Sequence, residues 1–323
     1  MEEELNIAID QTGEGLRLDV FLSRHMPLTR SAAAKSIDQG RVLVDGKVRK
    51  PSFKLQEGMH VHARIIAVDE GQGLEGLDIP LHILYEDPDI IVINKPAGLV
   101  VHPGAGENRG TLVNALIHRY PEIANVGATD RPGIVHRLDK LTSGVMVAAR
   151  SGEACGKLSA AFKEHRHSRI YLAICYGRPG EPAGKIETFM RRNPRDRKKM
   201  SSKVPEGRRA VTNWQVLKGW GQLSLLELSL ETGRTHQIRV HLSDMGHPVV
   251  GDPEYGGRNR ANTIKDPVLK SRIKSLGRQM LHAHKLGIIH PVTGEWMEFV
   301  AEPPEDFQKL VSLLDERCGD NNL

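Results

Sequence analysis

The sequence predicts an α+β protein: a mixed, largely antiparallel sheet with a small separate unit in front of it. Three observations carry this. The apolar runs Ile90 to Ile93, Val145 to Ala149 and Tyr171 to Tyr176 suit buried strands, yet helical patterns do not alternate regularly between them, so a doubly wound parallel sheet fits poorly. Leu226, Leu228 and Leu230 alternate with Glu227, Ser229 and Glu231, as in a strand with one wet face. Residues 66–80 lack strand pattern and contain Gly71, Gly73, Gly76 and Pro80, with acids at 69, 70, 75 and 78. This stretch reads as a flexible acidic linker and sets residues 1–65 apart.

Within the front unit, Leu18, Phe21 and Leu22 make an i, i+3, i+4 stripe, and Ala33 and Ile37 repeat it in a second short helix that Gly40 can end. A hairpin follows, with Val42 and Val44 on one arm, the Asp45-Gly46 turn, and Lys47-Val48 returning. Arg17, Arg24, Arg30, Lys35, Arg41 and Lys47 lie on or beside these elements; a solvated helix face is the alternative to a ligand surface. The run Arg17-Leu18-Asp19, the helix start at Arg30-Ser31, the segment from Gly40 to Gly46 and Gly58 resemble the S4 RNA-binding module over about residues 15–65. That resemblance implies that Arg17, Arg30, Lys35 and Arg41 face structured RNA.

The body, residues 81–305, adds helices at about 111–120, where Leu112 stacks on Leu116 and Val113 on Ile117, and at about 151–165 around Leu158 and Phe162. His290-Pro291-Val292-Thr293-Gly294 reads as a turn between two strands. Residues 306–323, with Phe307, Leu310, Val311 and Leu314, suggest a terminal helix with a frayed tail.

Charge is segregated along the 323 residues. Gly15 to Lys54 holds nine Lys or Arg against three acids, and Arg191 to Arg209 nine against two, so a net charge of +5 conceals +6 and +7 against −8 elsewhere. Two basic surfaces on an acidic body point to a polyanionic partner. The composition, 39% hydrophobic and 26% charged, is that of a soluble globular protein, with no membrane partner expected. The N-terminus, Met1-Glu2-Glu3-Glu4, has neither a basic nor an apolar leader region, so a cytoplasmic location is expected. Cys155, Cys175 and Cys318 form no C-x-x-C pair.

No phosphate-binding G-x-x-x-x-G-K-[ST] or H-E-x-x-H motif occurs, and Gly104 to Arg109 lacks the third glycine of a dinucleotide loop. His236 with His241, His282 with His284 and His165 with His167 have no third ligand at matching spacing, so neither metal nor cofactor is expected. What stands out is Gly133-Ile134-Val135-His136-Arg137-Leu138-Asp139-Lys140-Leu141-Thr142-Ser143-Gly144: an acid on a loop bounded by glycines and followed by a strand. A turn that merely satisfies its own backbone would read similarly. A second cluster, Thr232 to His241, gathers Arg234, His236, Arg239 and His241 after a glycine turn. If Thr235 caps a helix there, Ile238 and Leu242 face the core. One cluster with an acid and one with arginines make an acid-based active site the economical inference.

The stretch H-R-L-D-x-x-T-S-G, the cluster G-R-T-H-Q-I-R-V-H, Asn94-Lys95-Pro96, Leu99 to Gly106, Gly251-Asp252-Pro253 and Leu281-His282-Ala283 together resemble the RluA family of RNA pseudouridine synthases, over about residues 15–303. The resemblance implies isomerisation of uridines in large-subunit ribosomal RNA, free or in an assembling subunit, by a monomer. By motif it makes Asp139 the catalytic carboxylate and Arg239 its partner. Tyr171 of Arg169-Ile170-Tyr171 becomes the platform under the base and a candidate proton acceptor, and Arg137 the side chain that fills the helix. At Leu141 relatives often carry a polar or acidic residue, which puts the detail of that loop in question.

The residue types suit the chemistry. Turning uridine into pseudouridine breaks N1–C1′, rotates the uracil and joins C5 to C1′, with no redox change and no cosubstrate. A buried carboxylate needs a cation beside it to stay ionised, and it could attack C1′ or C6 or take a proton from C2′. Extruding a base costs a few kcal/mol, which an aromatic platform offsets. Around it, Arg191 to Arg209, including Lys198, Lys199 and Lys203, reads as a loop or hairpin that could clamp phosphates, with Arg234 nearby, or as a solvated loop. Two rivals stand beside this reading. A non-catalytic S4-bearing ribosome-assembly or translation factor would tolerate loss of Asp139, and a glycosylase would release free uracil.

Overall fold

The structure is a computed structural model describing residues 2–26, 30–66, 74–104, 107 and 109–319; of residues 2, 3, 30, 31, 35, 65 and 66 only the backbone is described. The chain divides into two compact units, Met1–Gly73 and Leu74–Leu323.

The first unit runs β1 (Glu2–Ala8), α1 (Leu18–His25), α2 (Arg30–Asp38), β2 (Val42–Val44), β3 (Lys47–Val48) and β4 (His60–Ile66), with sheet order β1-β4-β2-β3. The two helices and the hairpin are where the apolar spacing puts them. Leu18, Phe21, Leu22, Ala33, Ile37, Val42 and Val44 form the core with Val61 and Ala63, and Asp45 (φ 49°) and Gly46 (φ 70°) make the tight turn. The acid-rich N-terminus, which spacing alone did not mark as an element, is a strand. Leu5 and Ile7 pack on the core while Glu4 and Asn6 stay exposed, and Glu4 meets His62 on the paired strand at 2.7 Å. Three acids in a row hid the alternation.

The second unit comprises β5 (Ile83–Glu86), β6 (Ile90–Lys95), α3 (Leu112–Arg119), β7 (Ser143–Ala149), α4 (Gly152–Lys163), β8 (His167–Tyr176), β9 (Ala183–Arg192), β10 (Met200–Ser201), β11 (Arg208–Gly219), β12 (Leu223–Leu230), α5 (Gln237–Asp244), α6 (Gly257–Arg260), α7 (Pro267–Lys274), β13 (Leu281–Ile289), β14 (Trp296–Val300) and α8 (Glu305–Cys318). Ten strands form one sheet in the order β10-β9-β11-β12-β8-β13-β7-β6-β5, and β14 joins at β13. Every described pairing is antiparallel except β7 with β13, so the fold is α+β with a mixed, largely antiparallel sheet. Strand β7 is buried throughout, which explains why Val145 to Ala149 is an unbroken apolar run. On β12 the leucines at 226, 228 and 230 are buried and Ser229 is exposed. Helix α8 lays Phe307, Leu310 and Leu314 over Ile174, Tyr176 and Trp220, and residues 320–323 of the expected frayed tail lie outside the described residues.

Of the expected linker, residues 67–73 lie outside the described residues. Residues 74–80 run beside α3, where the Leu77 N–H donates to Asn114 O at 2.9 Å and Asn114 Nδ2 to Glu75 O at 2.7 Å. The basic run from Arg191 to Arg209 is the β9–β10–β11 hairpin: β10 turns back on the end of β9, pairing Met200 with Arg192.

Candidate active site

The loop before β7 is held from both sides. The Ala149 N–H donates to Gly133 O at 2.8 Å, and the Val147 N–H donates to His136 Nε2 at 3.0 Å. The His136 ring stacks on Phe162 at 4.5 Å, and burial pushes its pKa down to about 3, so it is a neutral acceptor. Leu138 is buried, and the Thr142 N–H closes the turn on Asp139 O at 3.0 Å. Asp139 itself is left partly accessible. Beyond it, Gly144 has φ 119°, and a Cβ there would lie 2.1 Å from Ala283 O on β13. Only glycine permits that approach.

Opposite Asp139 lies Arg239 on α5. Its Nη1 donates to Asp139 Oδ2 at 3.1 Å, its Nε and Nη2 to the two oxygens of Asp252 at 2.7 and 3.0 Å, and its Nη2 also to Glu254 at 2.7 Å. Burial works against the guanidinium charge, but the bonds and charges of Asp252, Asp139 and Glu254 overcome it and hold the pKa above the ordinary arginine range. The Arg239 orientation is therefore set by Asp252, which is 1% exposed. His236 stands beside the pair, its Nε2 3.9 Å from Asp139 and its Nδ1 2.8 Å from the Tyr255 hydroxyl. Burial lowers its pKa against the pull of Asp139.

Thr235 does not cap α5. The helix begins at Gln237, preceded by His236 in the left-handed region at φ 56°. The turn is fastened from inside: Gln237 Oε1 accepts from Thr232 Oγ1 (2.7 Å) and the Arg234 N–H (3.0 Å), while its Nε2 donates to Val211 O and Thr212 Oγ1, both at 2.9 Å. A buried glutamine amide replaces the expected hydroxyl cap. Ile238 and Leu242 still face the core.

Tyr171 lies on β8 between Leu228 of β12 and Ala283 of β13, 6% exposed. Burial raises its pKa and Asp139 adds to this against Arg169, so the phenol stays protonated at neutral pH. Asp139, Tyr171, Arg239, Arg137, Arg234 and His236 line one open cavity of about 450 Å³. Thus the side chains that the sequence singled out from three separate segments share one space.

The expected RNA contacts are more dispersed. Arg137 is exposed, with Nη1 3.4 Å from His102 Nε2. Arg234 donates to Arg209 O at 3.0 Å. Lys198 is exposed, Lys199 lies 3.7 Å from Asp196 and Lys203 3.4 Å from Asp244. In the first unit Arg17 forks onto Asp19 at 3.0 and 2.8 Å, and Arg41 is half-buried beside β2. The side chains of Arg30 and Lys35 lie outside the described residues.

Asp252, Glu254, Tyr255 and Lys95 carry no signal of a role in the sequence alone. Gly251-Asp252-Pro253 was visible as a motif, but nothing in its spacing ties it to Arg239. Lys95 is fully buried, and its Nζ donates to Pro96 O (2.8 Å), Leu99 O (3.0 Å) and Lys140 O (3.3 Å), tying the end of β6 to the Asp139 loop. Burial pushes its pKa down to about 7, with Asp139 pulling the other way. Among the described residues one trio could present metal ligands, Asp87, Asp89 and His290. Its geometry argues for a structural corner instead: His290 Nδ1 accepts from the Val292 and Thr293 N–H groups, leaving Nε2 to donate to Asp87 at 2.9 Å. Asp87 also accepts from Tyr85 and from the N–H groups of Asp89 and Ile90.

Residues 89–244 match the family model for RNA pseudouridylate synthase, and residues 16–61 that for the S4 domain. An RNA pseudouridine synthase of Synechocystis is 43% identical over 98% of this chain and 95% of its own length. The ribosomal large subunit pseudouridine synthase D of Pseudomonas aeruginosa is 45% identical over 93% of this chain and 92% of its own. Among solved structures, human RNA pseudouridylate synthase domain containing 4 superposes with a TM-score of 0.54 at 29% identity, covering 72% of this chain and 92% of that one. No helix among the described residues is long and apolar enough to cross a membrane. With Asp139, Arg239 and Tyr171 around one cavity in the matched segment, the chain belongs to the RluA-type RNA pseudouridine synthases and carries an S4 domain ahead of its synthase domain.

Proposed function

We propose that this synthase isomerises uridines of large-subunit ribosomal RNA, with Asp139 as the catalytic carboxylate acting on a uridine turned out of its stack. The relatives called ribosomal large subunit pseudouridine synthase D, 41–45% identical over nearly the whole chain, support the substrate. The observation that carries the residue assignment is the bond from Arg239 to Asp139 at 3.1 Å, made by a guanidinium already fixed by Asp252 and Glu254. A carboxylate that faces a cavity and is bonded to a guanidinium already fixed by other acids is aimed before substrate arrives.

In this reading the extruded uracil rests against Tyr171, which remains a neutral phenol and so serves as a platform and hydrogen-bond donor at neutral pH. Asp139 acts at the sugar or at C6. The N1–C1′ bond breaks, the uracil turns, and C5 joins C1′ while the C5 proton is lost and N1 gains one. Arg137, exposed at the rim, takes the place vacated in the RNA stack and offsets part of the few kcal/mol of extrusion. Incubating Asp139→Asn with unmodified large-subunit RNA and mapping pseudouridine tests the assignment. Free uracil in the supernatant would instead indicate a glycosylase.

A further inference from the structure

The cavity that holds Asp139 also holds a group for which the reaction has no use. Its lining carries one carboxylate, Asp139, against six lysines and arginines, Arg137, Lys163, Arg169, Arg208, Arg234 and Arg239. Arg239 is neutralised by its three acids. Arg169 is not. It is 8% exposed, its Nε is buried without a hydrogen-bond partner, and no carboxylate pairs with it among the described residues. Its guanidinium carbon lies 5.9 Å from the Phe162 ring, an interaction worth little against the cost of burying a charge. Burial lowers its pKa against the pull of Tyr171, and Arg234 repels it further. The backbone makes room for this arrangement: a Cβ on Gly233 would lie 2.4 Å from Arg169 Nη1.

An arginine fork held at the wall of a cavity, desolvated and without a counter-ion, is arranged for an anion that arrives from outside. We propose that the Arg169 end of the cavity is a phosphate subsite, seating a backbone phosphodiester beside the target nucleotide, with Arg169 as the buried anchor and Arg208, Arg234 and Lys163 around it. The inference rests on the reading that the cavity takes a uridine from an RNA chain. Seating the phosphate satisfies the Arg169 charge and fixes the sugar of the flipped nucleotide relative to Asp139, as a two-point attachment does.

The test uses the full chain and a single-stranded uridine pentamer, with and without neutral methylphosphonate linkages on either side of the central uridine. Wild type should bind the phosphodiester about tenfold more tightly than the methylphosphonate. Arg169→Met should forfeit that tenfold and bind the methylphosphonate as wild type does, with the salt slope smaller by about 0.7. Gly233→Ala, which displaces the guanidinium without removing its charge, should behave likewise. Arg169→Met should also raise Tm, because it removes an uncompensated buried charge; an arginine that only supports the fold would lower it. Independent effects that multiply, wild-type binding by Arg169→Met, or a lowered Tm would overturn the subsite. Arg169-dependent binding of inorganic phosphate with no response to methylphosphonate would assign it to a free anion and overturn the RNA reading. Pseudouridine yield on large-subunit RNA, measured in parallel, tests the activity separately.

Discussion

Arg239 reaches Asp139 at 3.1 Å through Nη1 while its other two nitrogens are spent on Asp252 and Glu254. A lysine has one nitrogen and no fork, so it cannot hold Asp252 and aim at Asp139 together. Arg239→Lys should therefore lower kcat by about 100-fold, the scale of losing one preorganised electrostatic partner, with RNA affinity changed by less than about threefold. Single-turnover kinetics and filter binding on the same RNA separate the two. Near wild-type turnover would remove Arg239 from the mechanism.

Lys95 gives the second unit a distinctive pH dependence. Its pKa is about 7 in the fold against 10.5 for the free side chain. Between these values the unfolded chain binds the proton and the native one does not, so stability must rise with pH. The contribution is lowest below about pH 7 and is regained toward pH 10, at up to about 1.4 kcal/mol per pH unit. Denaturant titrations of wild type and Lys95→Met across pH 6.5 to 9.5 should converge or cross in wild type's favour as pH rises. Parallel curves would mean that Lys95 keeps its proton through its three carbonyl partners.

Gly144 predicts a purely steric failure. An alanine there would place Cβ 2.1 Å from Ala283 O at φ 119°, against backbone that cannot swing away. Gly144→Ala should cost more than about 4 kcal/mol and separate β7 from β13. Circular dichroism melts read this destabilisation; a Tm within a few degrees of wild type would contradict the β7–β13 geometry.

The basic hairpin predicts a salt effect. Lys198→Glu with Lys199→Glu and Lys203→Glu should weaken RNA binding and make log K against log salt shallower by about 0.7–0.9 for each phosphate that is no longer neutralised. Lys199 and Lys203 have weak in-chain partners, Asp196 at 3.7 Å and Asp244 at 3.4 Å, exposed pairs worth at most about 1 kcal/mol each. An unchanged slope would remove the clamp.

These predictions draw unequally on what the sequence made legible. Apolar periodicity was enough for α1, α2, β6, β7, β12 and α8, because each buries one face or all of itself. It failed for β1, which opens on consecutive glutamates and whose inward residues, Leu5 and Ile7, are only partly covered. It also misplaced the start of α5, since Gln237 fastens the turn through strand β11, an interaction between residues 26 apart that local spacing does not encode. Asp139 and Arg239 stood out because they sit in dense polar clusters, whereas Tyr171 lies in an apolar strand run and was picked out by its motif resemblance alone. Asp252, Lys95 and Arg169 were not legible, because their importance lies in which side chain or carbonyl they meet, or fail to meet, after folding.

Asp139 carries out the chemistry in this account, and the surrounding residues bind and position. The most direct measurement is pseudouridine formation by Asp139→Asn on unmodified large-subunit RNA, with binding measured on the same preparation. The asparagine variant, matched in shape and lacking the charge, should bind RNA within about threefold of wild type and form no pseudouridine, a deficit beyond the roughly 10²–10⁴ of a missing acid–base group. Measurable turnover by Asp139→Asn would contradict the assignment.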